Sequence, residues 1–148
     1  MVNKELKNSL TKKMKINIDT ITRASKELIG NIIRTPTIRS PPLSGEIRGE
    51  VLLILENLQY TSSFKVRGAY TSITRLKEDQ KKMGVIAMSA GNHAQAVAWW
   101  AKKERVNATI VMPEHAPLFK VMKTKSLGAD VILRLSLIHI SEPTRLEL

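Results

Sequence analysis

The sequence contains no cysteine, and only 4% of its 148 residues are aromatic. The absence of cysteine excludes a disulfide scaffold, a zinc site with Cys ligands, an iron–sulfur cluster and a Cys nucleophile. The three histidines are dispersed along the chain, so they do not form a metal site either. With so few aromatic residues, any core must be built mainly from Ile, Leu, Val, Ala and Met.

Long apolar runs are absent as well. No stretch reaches the roughly 18 residues that a membrane span requires, and no apolar h-region follows the N-terminal lysines as it does in a secretory signal. We therefore expect no membrane contact and a cytoplasmic location. Hydrophobic residues make up 43% of the chain and charged residues 25%, which is typical of a folded globular domain.

Acidic residues are scarce relative to basic ones: 13 Asp and Glu stand against 24 Lys and Arg, a formal net charge of +11. Such a charge can indicate a nucleic-acid partner. Part of the excess, however, lies in residues 1–17, where five lysines accompany Glu5 alone. Elsewhere the basic residues are mostly scattered and are not interleaved with aromatic ones, as they are in single-strand binders. We predict a basic N-terminal extension over residues 1–17 and no nucleic-acid partner.

Hydrophobic spacing predicts an alternation of helices and strands. The first helix is expected over residues 18–33, capped by Asp19 or Thr20. Its candidate buried face consists of five apolar side chains, Ile18, Ile21, Leu28, Ile29 and Ile32. Residues 40–45 predict a loop, and residues 51–55 a fully buried strand. The later elements are helices over 63–76, 92–103 and 118–127 and strands over 84–88, 108–112 and 131–133, with Gly128 ending the last helix. This alternation predicts an α/β fold with a parallel sheet and flanking helices.

Lys65 is expected just inside a helix and next to the end of a strand, where a parallel sheet binds its ligands. The positive end of the helix dipole and the nearby Arg67 both disfavour an ammonium group there. An uncharged lysine can attack an aldehyde and form a Schiff base. Alternatively, Lys65 is an ordinary surface lysine, since exposed lysines are the rule.

Residues 89–95, Ser-Ala-Gly-Asn-His-Ala-Gln, lie between a predicted strand and a predicted helix. Gly91 lets the backbone turn and approach a ligand, and free N–H groups at a helix start form an anion site. Ser89, Asn92 and Gln95 add side-chain donors, which suits a carboxylate or a phosphate. Alternatively, Ser89 or Asn92 simply caps the helix, and His93 either contacts a substrate carboxylate or is an ordinary polar residue.

Together the two segments resemble the pyridoxal-phosphate (PLP) enzymes of the threonine and serine dehydratase family. Residues 63–69, Ser-Phe-Lys-Val-Arg-Gly-Ala, are similar to the family motif S-F-K-x-R-G-A, whose lysine holds PLP. Residues 89–95 are similar to the family's substrate-loop motif, and residues 34–36, 56–59 and 111–113 are in register with it. The resemblance covers about residues 18–134 and implies a fold like that of the tryptophan synthase β-chain.

The resemblance implies a role for each matching residue. Lys65 would bind PLP and act as the base that removes the substrate Cα proton, while Phe64 would pack beside the cofactor ring. Asn92 would bond to the phenolic oxygen of PLP and, with Ser89, Gly91 and His93, hold the substrate carboxylate. The implied reaction is the deamination of L-threonine to 2-oxobutanoate and ammonia, with L-serine as an open second substrate.

Related activities stay open at this point: a serine racemase, a threonine synthase, or a non-catalytic domain that binds a small molecule. Val66 replaces the Asp that threonine synthases usually carry after the lysine. Ala90 replaces the second Ser that is frequent in serine racemases, which favours elimination. Ser62 stands where relatives commonly have Gly. The resemblance implies a place in amino-acid metabolism, for example isoleucine biosynthesis, without separating a biosynthetic from a catabolic enzyme.

The family's catalytic chain is much longer than this sequence and has two α/β domains. We therefore interpret residues 18–135 as the N-terminal part of a PLP-dependent catalytic domain, a truncated form of that fold that is expected to be inactive alone. Residues 136–148 continue no helix that would complete the crossover, so we expect a non-native tail there. The resemblance also implies that the complete enzyme is a homo-oligomer.

Overall fold

The computed structural model describes residues 16–134. Its helices are α1 (Ile18–Leu28), α2 (Pro41–Ile47), α3 (Lys65–Thr74), α4 (Glu78–Met83), α5 (Asn92–Lys103) and α6 (Leu118–Ser126). Its strands are β1 (Thr37–Arg39), β2 (Leu52–Ile54), β3 (Val85–Met88), β4 (Ala108–Pro113) and β5 (Asp130–Arg134), and a short 3-10 helix spans Glu56–Leu58. The predicted basic extension, apart from its last two residues, and the predicted tail lie outside the described residues.

A parallel sheet in the order β3-β4-β5 forms the centre of the fold. Ala87 pairs with Ile110, which in turn pairs with Val131. Helix α5 connects β3 to β4, and α6 connects β4 to β5, so each helix is the crossover of a βαβ unit. The predicted α/β fold with a parallel sheet is confirmed. Strand β3 ends directly before Ser89, which brings the second sequence motif to the carboxyl edge of the sheet.

The core lies between this sheet and the helices α3 and α5. Ile110 and Met112 of the sheet are fully buried, as is Val66 of α3. Helix α5 contributes small buried side chains, namely Ala94, Ala96, Ala98 and Ala101. Because alanine side chains are short, α3 and the sheet can both approach α5 closely. The small size of this helix face therefore places the starts of α3 and α5 beside each other.

The opposite face of the sheet is open to solvent in residues 16–134. Side chains alternate along a strand, so Ile86, Met88 and Ile132 project away from the helices, and all three are exposed. Strand β3 is also an edge of the sheet. Parallel sheets normally have both faces covered, so this apolar face is an unusual surface.

Helix α1 is shorter than predicted and has a different cap. It ends at Leu28 rather than at residue 33, because Ile29 is extended and Gly30 adopts a left-handed conformation with φ of 78°. The Asn17 side chain caps the helix through Thr20 N–H, and the Thr20 side chain returns a bond to Asn17 N–H. The predicted buried face was wrong for Ile18, Ile21 and Ile29, which are exposed.

The region between α1 and α3 also differs from the prediction. Residues 51–55 were expected to form a buried strand, but β2 pairs antiparallel with β1 in a separate ribbon, and Leu52 and Ile54 are exposed. An apolar run does not reveal which element covers it, and here no described element does. Residues 40–45 were expected to form a loop, yet α2 begins at Pro41. Proline is accepted in a first helical turn because its missing N–H has no partner there anyway. Within the described part of the chain, no helix is long and apolar enough to cross a membrane.

Candidate active site

The two sequence motifs meet where α3 and α5 begin. Lys65 is the first residue of α3, and His93 is the second residue of α5. Both line one open cavity of about 550 Å³, together with Phe64. The other lining residues are mostly apolar and come from α3, α5 and β3, namely Ala69, Ile73, Leu76, Val85, Ile86 and Val97. The structure therefore places three of the predicted site residues around a common space.

Lys65 is presented to solvent by a buried neighbour. Ser63 is buried, and its Oγ accepts a bond from the Lys65 N–H at 3.4 Å. Phe64 and Lys65 are exposed, and the Lys65 Nζ lies 4.5 Å from the centre of the Phe64 ring. This distance is within the range of a cation–π contact. The amine is thus accessible and lies against an aromatic face at the mouth of the cavity.

The loop before Lys65 contains a residue in an unfavourable conformation. Ser62 has φ of 55°, in the left-handed region where residues with a Cβ are disfavoured. This conformation explains why glycine is common at this place among the relatives that the motif resembles. Next to it, Thr61 is buried, and its hydroxyl has no hydrogen-bond partner among the residues that the structure describes.

Arg67 has a different role from the one predicted. It was expected to disfavour an ammonium group at Lys65, but its guanidinium is paired with Glu56 through two bonds, at 2.6 and 3.0 Å. Thr35 Oγ1 donates a further bond of 2.6 Å to Glu56. The bonds from Arg67 are the largest cause of a lowered pKa of Glu56, against the opposing effect of burial. The Arg67 charge is therefore balanced, and the pair fastens α3 to the 3-10 helix.

Gln59 holds the same loop from the other side. Its buried side chain accepts a bond from Ile33 N–H at 3.0 Å and donates one to the Ile33 carbonyl at 2.9 Å. Its Oε1 also accepts a bond from Tyr60 N–H. The segment 56–59 therefore fixes the backbone that leads to Lys65. No periodicity in the sequence indicates these structural contacts.

The second motif forms the turn into α5. Gly91 is the N-cap in an extended conformation, and no side chain of the described residues caps the helix. The alternative of simple capping by Ser89 or Asn92 is therefore not observed; Ser89 Oγ instead accepts a bond from Gly91 N–H at 3.1 Å. Ser89, Gly91 and Asn92 adjoin His93 but do not line its cavity. The N–H groups of the first turn thus remain available to an anion.

The pKa of His93 is lowered from its ordinary value. Desolvation by the surrounding protein is the larger cause and the positive charge of Lys65 the smaller, although the residue keeps an exposed surface. Both causes favour the neutral imidazole. His93 therefore can donate or accept a hydrogen bond beside Lys65 without adding a second full positive charge.

These residues fit one end of PLP. A PLP aldehyde requires an accessible primary amine, which Lys65 provides at the cavity mouth. The Phe64 ring offers an apolar surface beside that amine. The free N–H groups at the start of α5 suit a carboxylate. The donor set therefore agrees with a lysine-bound cofactor and an amino-acid substrate.

Comparison with known proteins gives consistent matches. A family model described as pyridoxal-phosphate dependent enzyme matches residues 28–139. The L-threonine ammonia-lyase of Thermotoga maritima is 50% identical over 118 residues, covering 80% of this chain and 29% of that protein. The catabolic L-threonine dehydratase TdcB of Staphylococcus aureus is 50% identical over 120 residues, covering 80% and 35%. The chain therefore spans about a third of the length of these curated relatives.

Solved structures agree with these matches. Maize serine racemase superposes with a TM-score of 0.77 at 35% identity, covering 83% of this chain and 37% of that one. A bacterial threonine deaminase, from the organism abbreviated T.th., superposes with a TM-score of 0.73 at 35% identity, covering 84% and 39%. Both likenesses extend over α3, α5 and the parallel sheet, since they cover more than four fifths of the chain.

Proposed function

The chain belongs to the family of pyridoxal-phosphate dependent enzymes, and from this premise we propose that it carries the cofactor lysine and the substrate-carboxylate loop of an L-threonine ammonia-lyase. The proposed reaction converts L-threonine to 2-oxobutanoate and ammonia, and L-serine to pyruvate and ammonia. The observation that carries the proposal is that Lys65 and His93, from two separate motifs, line the same cavity. The 50% identity to two threonine-deaminating relatives supports the choice of substrate.

The side chains of this cavity have distinct proposed tasks. Lys65 binds the PLP aldehyde and, when released, takes the proton from the substrate Cα. Bound PLP supplies the electron sink that makes this proton acidic. Phe64 packs against the cofactor ring, and Asn92 donates to its phenolic oxygen. The neutral His93 hydrogen-bonds to the substrate without adding positive charge beside Lys65.

The turn before α5 orients the substrate. Ser89, Gly91 and Asn92, together with His93, hold the carboxylate through backbone N–H groups and side-chain donors. The positive end of a helix dipole favours an anion at this place. With both the carboxylate and the Cα fixed, the Lys65 amine stays in line with the proton that it removes.

A racemase is the second candidate, since maize serine racemase has the same fold here. Racemisation requires a proton donor on the face of the substrate opposite Lys65. Ala90 occupies the place where the second Ser of serine racemases is frequent, and a methyl group has no proton to give. We therefore expect 2-oxo acid rather than D-serine as the product. We propose residues 18–135 as the N-terminal part of the catalytic domain.

The cofactor assignment is tested by chemical trapping. The 148-residue chain is incubated with PLP, treated with sodium borohydride to make any lysine linkage permanent, and mapped by mass spectrometry. We expect the label on Lys65 and its loss in Lys65→Ala. Lys120→Ala is the matched control, since Lys120 also lies beside a phenylalanine, with its Nζ 5.9 Å from the Phe119 ring. Labelling spread over exposed lysines, with none at Lys65, would contradict the assignment.

The reaction is tested by exchange of the matching segment. Residues 18–134 replace their counterpart in the Thermotoga maritima L-threonine ammonia-lyase, which is 50% identical over this region. We expect 2-oxobutanoate formation from L-threonine by the folded chimera and none by its Lys65→Ala variant. A folded chimera that binds PLP yet forms D-serine from L-serine, without 2-oxo acid, would favour the racemase.

A further inference from the structure

The first turn of α3 has few contacts of its own. Its N-cap, Phe64, makes no side-chain capping bond within residues 16–134, and both Phe64 and Lys65 are exposed. Val66 is the fully buried residue of this turn. Whatever holds Val66 therefore determines where the Lys65 backbone lies relative to the rest of the site.

A tryptophan of α5 holds Val66. The Trp100 Nε1–H donates a buried bond of 2.9 Å to the Val66 carbonyl. A helix carbonyl has two lone pairs, so this oxygen can accept the indole while it also serves its own helix. The Trp100 ring packs edge-on against Tyr70 of the same helix as Val66, at 4.7 Å, and the Trp100 side chain is only 3% exposed. One side chain of α5 thus contacts α3 at two points.

Trp100 lies on the same helix as His93. Since α5 is continuous from Asn92 to Lys103, a shift of α3 against Trp100 is a shift of Lys65 against His93. We propose that Trp100 is a positioning residue, which holds the Val66 carbonyl and thereby sets the placement of Lys65 opposite His93. The catalytic meaning of this placement rests on the proposed function, while the placement itself does not.

Trp99 provides a matched comparison. It is adjacent on α5 and stacks on Tyr60 at 4.5 Å, with the Lys103 Nζ 4.4 Å from its ring. Its indole N–H makes no hydrogen bond to a described residue, unlike that of Trp100. Replacement of either tryptophan by phenylalanine keeps an aromatic ring, but only Trp100→Phe removes a hydrogen bond.

The unmodified chain gives the first test. The two indole N–H groups are resolved by NMR and assigned with the Trp99→Phe variant. We expect the indole of Trp100 to exchange slowly with solvent and that of Trp99 to exchange rapidly. Equal, rapid exchange of the two groups would overturn the proposal without any variant at position 100.

The second test measures Lys65 itself, by the rate of PLP trapping in chains that circular dichroism shows to be folded. We expect Trp100→Phe to label Lys65 roughly fivefold more slowly, the factor that one ordinary hydrogen bond represents, while Lys120 is labelled at an unchanged rate. Trp99→Phe should label Lys65 at the parent rate. A merely structural role of Trp100 would lower the unfolding midpoint and leave the rate at Lys65 unchanged, which overturns the proposal.

A third readout separates this proposal from the proposed function. The imidazole of His93 is titrated by NMR in the absence of PLP. We expect Trp100→Phe to raise the pKa of His93, because the Lys65 charge is no longer held beside it, and Trp99→Phe to leave it unchanged. If the parent chain fails to label Lys65 but His93 responds in this way, the positioning role stands and the PLP function falls. If the His93 pKa is the same in all three chains, the positioning role falls.

Discussion

Ser62 is a single residue whose conformation opposes its chemistry. A side chain with a Cβ in the left-handed region costs about 1–2 kcal/mol, whereas glycine avoids this cost but loses more backbone entropy on folding, about 0.5–1 kcal/mol. The difference is small and favourable to glycine. The chain therefore keeps a modest strain two residues from the Phe64 that adjoins the cavity.

We expect Ser62→Gly to raise the free energy of unfolding by about 0.5–1 kcal/mol. Urea denaturation followed by circular dichroism measures this change. Ser62→Ala is the control, because it removes the hydroxyl and keeps the Cβ, and it should leave the stability unchanged. A less stable glycine variant would show that the Ser62 side chain makes a contact that outweighs the strain.

The charge of Lys65 should be visible in the titration of His93. Lys65→Met removes the positive charge and keeps a long side chain, so the pKa of His93 should rise toward its ordinary value, although desolvation remains the larger cause of its lowering. NMR titration of the imidazole measures the shift. Lys103→Met is the control, because the Lys103 ammonium lies against the Trp99 ring. An unchanged pKa in Lys65→Met would separate the two groups that the cavity joins.

The same lowered pKa predicts a pH dependence of stability. A histidine whose folded pKa lies below its unfolded value, about 6.5, stabilises the fold above that pH. This contribution is lost as the pH falls from 6.5 through the folded pKa, since the unfolded state binds the proton more readily. Urea titrations of the parent and of His93→Gln across this window measure the effect, and the variant should show a smaller slope. Equal slopes would assign the pH dependence to other groups.

At the scale of elements, the Glu56–Arg67 pair fastens α3 to the 3-10 helix. We expect Glu56→Gln to reduce the free energy of unfolding by about 1–2 kcal/mol, a value lowered by the partial exposure of Arg67. Because the pKa of Glu56 is lowered, its contribution is present above its unfolded pKa and is lost as the pH falls through the folded value. Thermal unfolding at neutral and acidic pH measures both effects.

Glu50→Gln is the control for this prediction. Glu50 lies 3.9 Å from Arg39, and both side chains are about two thirds exposed, at 68% and 65%. Such a pair contributes little in water. We expect its loss to change the stability by less than about 0.5 kcal/mol. If the two glutamine variants lose the same stability, the Glu56 pair is an ordinary surface contact.

The elements also show what the sequence could predict. Helix α5 was predicted with its observed ends, because Gly91 precedes an uninterrupted Ala-rich run. The end of α1 was missed, since the left-handed turn at Gly30 interrupts a continuous apolar pattern. The start of α2 was missed because prolines usually indicate a loop.

At the site, local motifs placed Lys65 and His93 correctly at two helix starts. The bonds from Arg67 to Glu56 and from Trp100 to Val66 join side chains that are distant in sequence. Such pairings depend on how the elements pack and leave no periodic signal. The separate β1–β2 ribbon was missed for the same reason, because its partner strand is chosen by tertiary structure.

For the whole molecule, the open face of the sheet is the largest departure from an ordinary α/β surface. Ile86 lies on an edge strand and is 71% exposed, beside the exposed Met88. Unpaired edges and apolar patches favour association between copies. We expect the 148-residue chain to self-associate with increasing concentration, as measured by sedimentation velocity.

Ile86→Lys should shift this association to higher concentration, since a charge on the open face disfavours contact between apolar surfaces. Met83→Lys is the control, because Met83 is equally exposed, at 79%, but lies on α4 outside the sheet. Equal association of the two variants would mean that copies meet elsewhere than at the sheet.

The aromatic junction of α3 and α5 also makes the molecule optically readable. The chain has two tryptophans, and both lie at this junction, one bonded to Val66 and the other stacked on Tyr60. All of its indole fluorescence therefore originates close to Lys65. A pyridoxyl chromophore attached to that lysine would accept this emission by energy transfer. The chain thus contains its own reporter, and occupancy of Lys65 can be followed by quenching in real time without an added label.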